Sequence, residues 1–164
     1  MQSVTEIITP SVISSDEFLR HWQGHRQLTR RVIDAFPEKD LFTFSIGGMR
    51  TPSQLAHELL AIAAPGLFEI VNGTTEKLNE HDDHAKTKEE LLARWDQATD
   101  RINEYWKELP LSRFHDEILA FGMYPGRVFS SLLYFVDNEI HHRGQMYVYL
   151  RALNIEPPAF WDRP

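Results

Sequence analysis

The sequence predicts an all-α fold, a four-helix bundle with long crossover connections. Three observations carry this. Four stretches repeat apolar residues at steps of three and four. Capping sequences, prolines or glycines bound most of them. No stretch shows the apolar–polar alternation of a half-buried strand.

The first helix is expected from Ser15 to Phe36. Phe18, Trp22, His25, Leu28, Val32 and Phe36 form one stripe. Ser14 or Ser15 suits the cap, Asp16 and Glu17 suit the positive end of the dipole, and Pro37 ends the helix. The following DLFTFSIGGMR reads as a loop, with Gly47 and Gly48 permitting a sharp turn. Thr51-Pro52-Ser53-Gln54 is a capping box with proline at the first helical position. The LAHELLAIAA run behind it is apolar on nearly every side, as in a helix buried among neighbours. Pro65-Gly66 is expected to kink or interrupt this second helix, and Asn72-Gly73 to end it.

Gly73 to Lys86 reads as a solvated connection long enough to cross the end of the bundle. Thr87-Lys88-Glu89-Glu90 is a further capping box and opens a third helix to about Leu109. Its stripe is Leu91, Trp95, Ala98, Ile102 and Tyr105, and Pro110 stops it. Leu111 to Gly126 reads as irregular. The fourth helix is expected from Arg127 to Leu153, with Phe129, Leu133, Val136, Ile140, Tyr147 and Leu150 on its apolar face. In the tail IEPPAFWDRP, three prolines rule out regular helix, and Phe160 and Trp161 are expected to dock on the bundle or on a second subunit.

At 164 residues the chain suits a single domain, residues 1–164. A chain of this length buries roughly 70% of its unfolded surface and needs no covalent staples. Hydrophobic residues at 42% and charged residues at 25% argue against wholesale disorder. The net charge of −7 argues against nucleic acid as a partner. Cysteine is absent, which excludes disulfides, thiolate zinc sites and a cysteine nucleophile. No apolar run approaches the ~18 residues of a membrane span. MQSVTEIITP lacks the features of a signal peptide, so the cytoplasm is the expected location.

In a helical bundle, sites form from polar side chains that point into the core. His57 shares a face with Leu60 and Ala61 in the most apolar helix. Its plain reading is a core histidine with both nitrogens hydrogen-bonded. In the last helix, Asn138 and His142 lie one turn apart on one face, and Gln145 follows on it. That stripe reads either as a solvated face with pairs such as Glu139–Arg143 or as an inward polar surface. Two imidazoles on neighbouring helices can share a divalent ion, Zn²⁺ or Ni²⁺, at about 2.0–2.1 Å. Asn138 is on the correct face for a third ligand, but a neutral amide is a poor one. Glu139 is a better ligand type, rotated by about 100°. His25 reads as core or as a pocket wall, and Gln145 and Tyr149 are pocket candidates from spacing. Arg143 suits a substrate carboxylate or a carboxylate side chain. His81 and His84, in a polar acidic loop, read as solvated, and His21 and His115 lack an evident partner.

NEIHHRGQ followed by YLRALNIEPP, together with GGMRTPSQLAHELL, resembles the DinB/YfiT-like bundle family, and the helix order agrees over nearly the whole chain. The resemblance implies a bundle, often dimeric, that holds a divalent metal in three histidines. Two of these fall on His57 and His142; the third position, one turn before His142, is Asn138 here. Characterised relatives imply a metal that activates a low-molecular-weight thiol or a water for transfer or hydrolysis. The departure at Asn138 sets against this a rival from another class: a non-catalytic bundle with a degenerate metal site that binds a small ligand or a protein partner.

Overall fold

The computed structural model describes residues 12–79 and 85–163. The expected readings of MQSVTEIITP and of His81 and His84 therefore fall outside the described residues. Four long helices form the bundle: α1 (Ser15–Ala35), α3 (Pro52–Asn72), α4 (Lys88–Glu108) and α5 (Val128–Ala152). Three of them open on reciprocal capping boxes, Ser14–Glu17, Thr51–Gln54 and Thr87–Glu90. Each box satisfies backbone N–H groups that no helical carbonyl can reach.

Between α1 and α3 stands a short helix, α2 (Glu38–Thr43), where the sequence predicts only a loop. It seats the fully buried Leu41 while keeping its backbone hydrogen-bonded. The segment expected to be irregular before α5 holds a 3-10 turn (Leu111–His115) and an antiparallel hairpin, β1 (Glu117–Ala120) with β2 (Tyr124–Arg127). Ala120 pairs with Tyr124 across the turn. Strands of four residues, one containing Pro125 and Gly126, are too short to show an alternation.

At the hairpin turn Phe121 has φ +52° and Gly122 φ +68°. A left-handed backbone at a bulky residue costs about 1–3 kcal/mol. Glu69 of α3 offsets it. This buried carboxylate accepts the N–H of Phe121 at 2.8 Å and the N–H of Glu76 at 2.7 Å.

Contrary to the expected interruption, α3 runs on through Pro65. Proline removes one backbone bond, while buried Leu59, Ile62, Leu67 and Ile70 hold both halves of the helix in the core. Its neighbour Gly66 is required by contact: a Cβ there would lie 2.5 Å from Cζ of Phe135. α3 is long and apolar enough to cross a membrane by composition, yet 67% of that window is buried within the fold.

α1 and α3 each pack between α4 and α5, so α1 faces α3 and α4 faces α5 across the diagonals. The crossovers are thus the links through α2 and through the hairpin. α3 and α4, which follow one another in the chain, are packed neighbours. Two apolar clusters fill the interior. One centres on Trp22, Ile102, Trp106 and Phe135, the other on Leu55, Leu59, Trp95 and Tyr149. Between them runs a buried polar layer: Arg26 and Thr29 on α1, Glu58 on α3, and Asn138, Glu139, His142 and Arg143 on α5.

The apolar face expected on α5 holds in part: Val136 and Leu150 are buried, and Phe129 and Tyr147 pack against the core. Leu133 and Ile140 are exposed, while polar Asn138, Glu139, His142 and Arg143 are buried. Phe160 and Trp161 are also exposed and stack on each other at 5.2 Å instead of docking on the bundle. The tail is tied down by other groups. Tyr147 donates to the Pro158 carbonyl at 2.7 Å, and Arg31 pairs with Asp162.

Candidate functional site

The polar layer divides into two networks. The first lies between α3 and α5. His142 Nε2 lies 2.9 Å from Glu58 Oε1 and donates to that carboxylate, and His142 Nδ1 lies 3.0 Å from the side-chain amide of Gln145. Gln145 Nε2 faces Nε2 of His141 at 3.3 Å. The second carboxylate oxygen of Glu58 is ion-paired with Arg50. Burial pushes the Glu58 carboxyl up, but the hydrogen bonds and charges of His142 and Arg50 outweigh it and hold it below the usual range. Arg50 is delivered by the loop that turns at Gly47 and Gly48, both at positive φ. Its carbonyl accepts from Tyr149 at 2.9 Å. Tyr149, a pocket candidate from spacing, is fully buried beside Phe44 and anchors this loop.

Glu58 and Arg50 are the residues that sequence reasoning passed over. The available signal was a lone charge in the apolar run LAHELL, since a charged side chain buried in a core is almost always paired.

His57 is buried one residue away, and its Nδ1 donates to the Ser53 carbonyl at 2.6 Å. It borders a groove toward α4 with Arg94 and Arg101. Asn138 is buried, and its Nδ2 has no hydrogen-bond partner among the described residues.

The second network lies between α1 and α5 and takes up Glu139, the alternative metal ligand of the sequence reading. Thr29 donates to Glu139 Oε1 at 2.6 Å; Arg26 stands 3.6 Å from Oε2 and Arg143 3.8 Å from Oε1. Two guanidiniums thus occupy the carboxylate from the α1 side. The Glu139–Arg143 pair expected on a solvated face is in fact buried.

His25 lies at the end of this network. Arg143 Nη2 approaches its Nδ1 at 2.8 Å, Arg163 Nη1 approaches its Nε2 at 2.8 Å, and the His21 ring stacks edge-on at 4.6 Å. Burial first, then the charges of Arg143 and Arg163 and the His21 ring, push the His25 imidazole down to about 3. In the unfolded chain it titrates near 6.5. Below that value the unfolded state takes up a proton that the folded state refuses. The stability owed to this group is therefore complete above about pH 6.5 and falls as pH drops toward 3. Urea midpoints measured from pH 8 to pH 4.5 are expected to decline in wild type. The decline should flatten in His25→Gln relative to that variant's own value at pH 8. An unaltered slope would refute the assignment.

The resemblance implies a divalent metal held by His57, His142 and the residue at position 138. Among the described residues no three His, Asp or Glu side chains are placed to hold a metal between them. Nε2 of His142 is engaged by Glu58, and Glu58 already carries the guanidinium of Arg50. Glu139 is turned to α1, and the amide of Asn138 is a weak ligand for Zn²⁺ or Ni²⁺. The residues as arranged do not fit the metal.

The family model described as "DinB family" matches residues 1–162. Among solved structures, a DinB-like protein of Bacillus cereus ATCC 10987 superposes with a TM-score of 0.72 at 18% identity, over 88% of this chain and 95% of that one. A DinB-like protein of Bacillus subtilis gives a TM-score of 0.70 at 16% identity, over 90% of this chain and 99% of that one. No curated protein matches. At such identities the likeness to these structures speaks for the fold.

Proposed function

This chain belongs to the DinB family, and from that premise we propose that it is a metal-independent, non-catalytic bundle that binds a small ligand at the α3–α5 seam. One observation carries the reading: the Arg50–Glu58–His142–Gln145 network uses up its own chemistry. Both ring nitrogens of His142 are hydrogen-bonded, one to Glu58 and one to the Gln145 amide, and both oxygens of Glu58 face cationic or donor groups. A general base needs a lone pair turned toward substrate, and a Lewis-acid site needs ligands not already neutralised. Neither is available within this four-residue network. The buried Nδ2 of Asn138, without a hydrogen-bond partner among the described residues, is a donor that a ligand acceptor would satisfy.

A cytoplasmic homodimer belongs to the same reading. Exposed Leu133, Ile140 and Val148 on α5, with Trp161 in the tail, are apolar surface that a second copy would cover.

The test is metal analysis of untagged protein, paired with thermal melts. The expected result is less than stoichiometric metal and no change of melting temperature with chelator, Zn²⁺, Ni²⁺ or Mn²⁺. A filled native site would instead raise stability by about 2.7 kcal/mol at a hundredfold excess over Kd. Stoichiometric metal that is lost in His57→Ala and His142→Ala would overturn the reading and restore the thiol- or water-activating alternative.

A further inference from the structure

Beneath the β-hairpin, between α3 and the first turns of α5, lies a cavity of about 280 Å³. Four aromatic side chains line it: Phe121 and Tyr124 from the hairpin, Tyr134 and Phe135 from α5. The polar lining comes from Ser130 and Ser131 at the start of α5. Among the described residues no Asp, Glu, Lys, Arg or His lines it, so none of them would compensate the charge of an ionised ligand.

The cavity is built into the fold. Its roof includes the left-handed Phe121, which the buried carboxylate of Glu69 holds in place. Its floor includes Ile62, one helical turn from Glu58, and its wall Tyr134 is one turn from Asn138. It therefore adjoins the polar seam to which ligand binding is assigned above.

We propose that this cavity binds an uncharged planar aromatic molecule of about two fused rings that carries one hydrogen-bonding group. Size sets the ring count: an apolar cavity of about 150 Å³ holds a benzene, and this one has room for one ring more. Ring faces and edges favour a flat π-system, which stacks on aromatic walls in offset or edge-on geometry. The serine hydroxyls, which donate or accept, provide for the single polar group. The assignment rests on the reading of this chain as a small-ligand binder and names the class of ligand.

The probe is 2-naphthol, titrated into the full chain and followed by calorimetry, with 2-naphthoate as the charged comparator. Saturable one-to-one binding of 2-naphthol is expected, with 2-naphthoate about tenfold weaker for want of a counter-charge. Ser131 is half-buried at the edge of the cavity. Ser131→Trp fills the space and should weaken 2-naphthol binding by at least about tenfold, the scale of one lost ring burial. Tyr124→Ala removes a wall at an exposed position and should weaken binding without altering the melting temperature. Absence of saturable binding by wild type, equal affinity for the naphthoate, or undiminished binding in both variants would overturn the assignment. The two readings fail separately. Metal-free protein that ignores 2-naphthol removes the cavity assignment alone. Stoichiometric metal on protein that still binds 2-naphthol removes the metal-independent reading alone.

Discussion

Glu139→Ala is expected to destabilise the protein by about 3–5 kcal/mol, the cost of breaking a buried ion network by deleting one partner. Glu139 is 1% exposed and stands between the guanidiniums of Arg26 and Arg143. Without it, two buried cations face each other with no carboxylate between them. Burial pushes the Glu139 carboxyl up, opposed by Arg26, by the Thr29 hydroxyl and by Arg143. Glu139→Gln keeps the shape and the bond from Thr29 and so isolates the charge. Urea denaturation at pH 7 should rank wild type above Gln, and Gln above Ala. Replacing the whole triad, Arg26→Met with Glu139→Leu and Arg143→Met, should recover much of the loss, because well-packed apolar replacements often match a buried ion network. A Glu139→Ala variant as stable as wild type would show that the network contributes nothing.

The second large effect is at Trp95. Its ring is buried on α4, with the Arg26 guanidinium 3.6 Å from the ring centroid. Its indole N–H donates to the Arg26 carbonyl at 3.1 Å, and Arg26 returns a bond to the Trp95 carbonyl at 3.1 Å. Truncating a buried tryptophan costs about 3–5 kcal/mol, and a desolvated cation–π contact adds up to about 2 kcal/mol. Trp95→Ala should therefore unfold at markedly lower urea. Trp95→Phe, which keeps a ring under the guanidinium, should lose much less. Equal losses in the two variants would remove the ring–cation contact from the account.

Much of this was legible in the chain itself. Three capping sequences and a stripe such as Phe18–Trp22–His25–Leu28–Val32 specify helices whatever the rest of the molecule does. The family resemblance drew the eye to His57 and His142, and both are buried. What the sequence withheld depends on contacts between distant segments. Glu58 looks like one charge in an apolar helix until Arg50, from the preceding loop, and His142, 84 residues on, arrive beside it. Glu139 reads as a free carboxylate until α1 supplies Arg26 and Thr29. The two misread positions on α5, Leu133 and Ile140, have the same origin: counting apolar residues fails where part of the buried side of a helix is polar. The hairpin was missed for a local reason, since Pro125 and Gly126 in a four-residue strand carry turn chemistry, not strand chemistry.

The charged layer that separates the two apolar clusters also acts as a ruler. If α1 slid past α5 by one turn, Arg26 or Glu139 would be drawn into surroundings rich in Trp22 and Phe135 or in Val32 and Tyr149. Either move strands an ion in hydrocarbon, so only one vertical alignment of the helices keeps every charge answered. A bundle of uniformly greasy helices has no such notch, and its members are free to settle at neighbouring offsets.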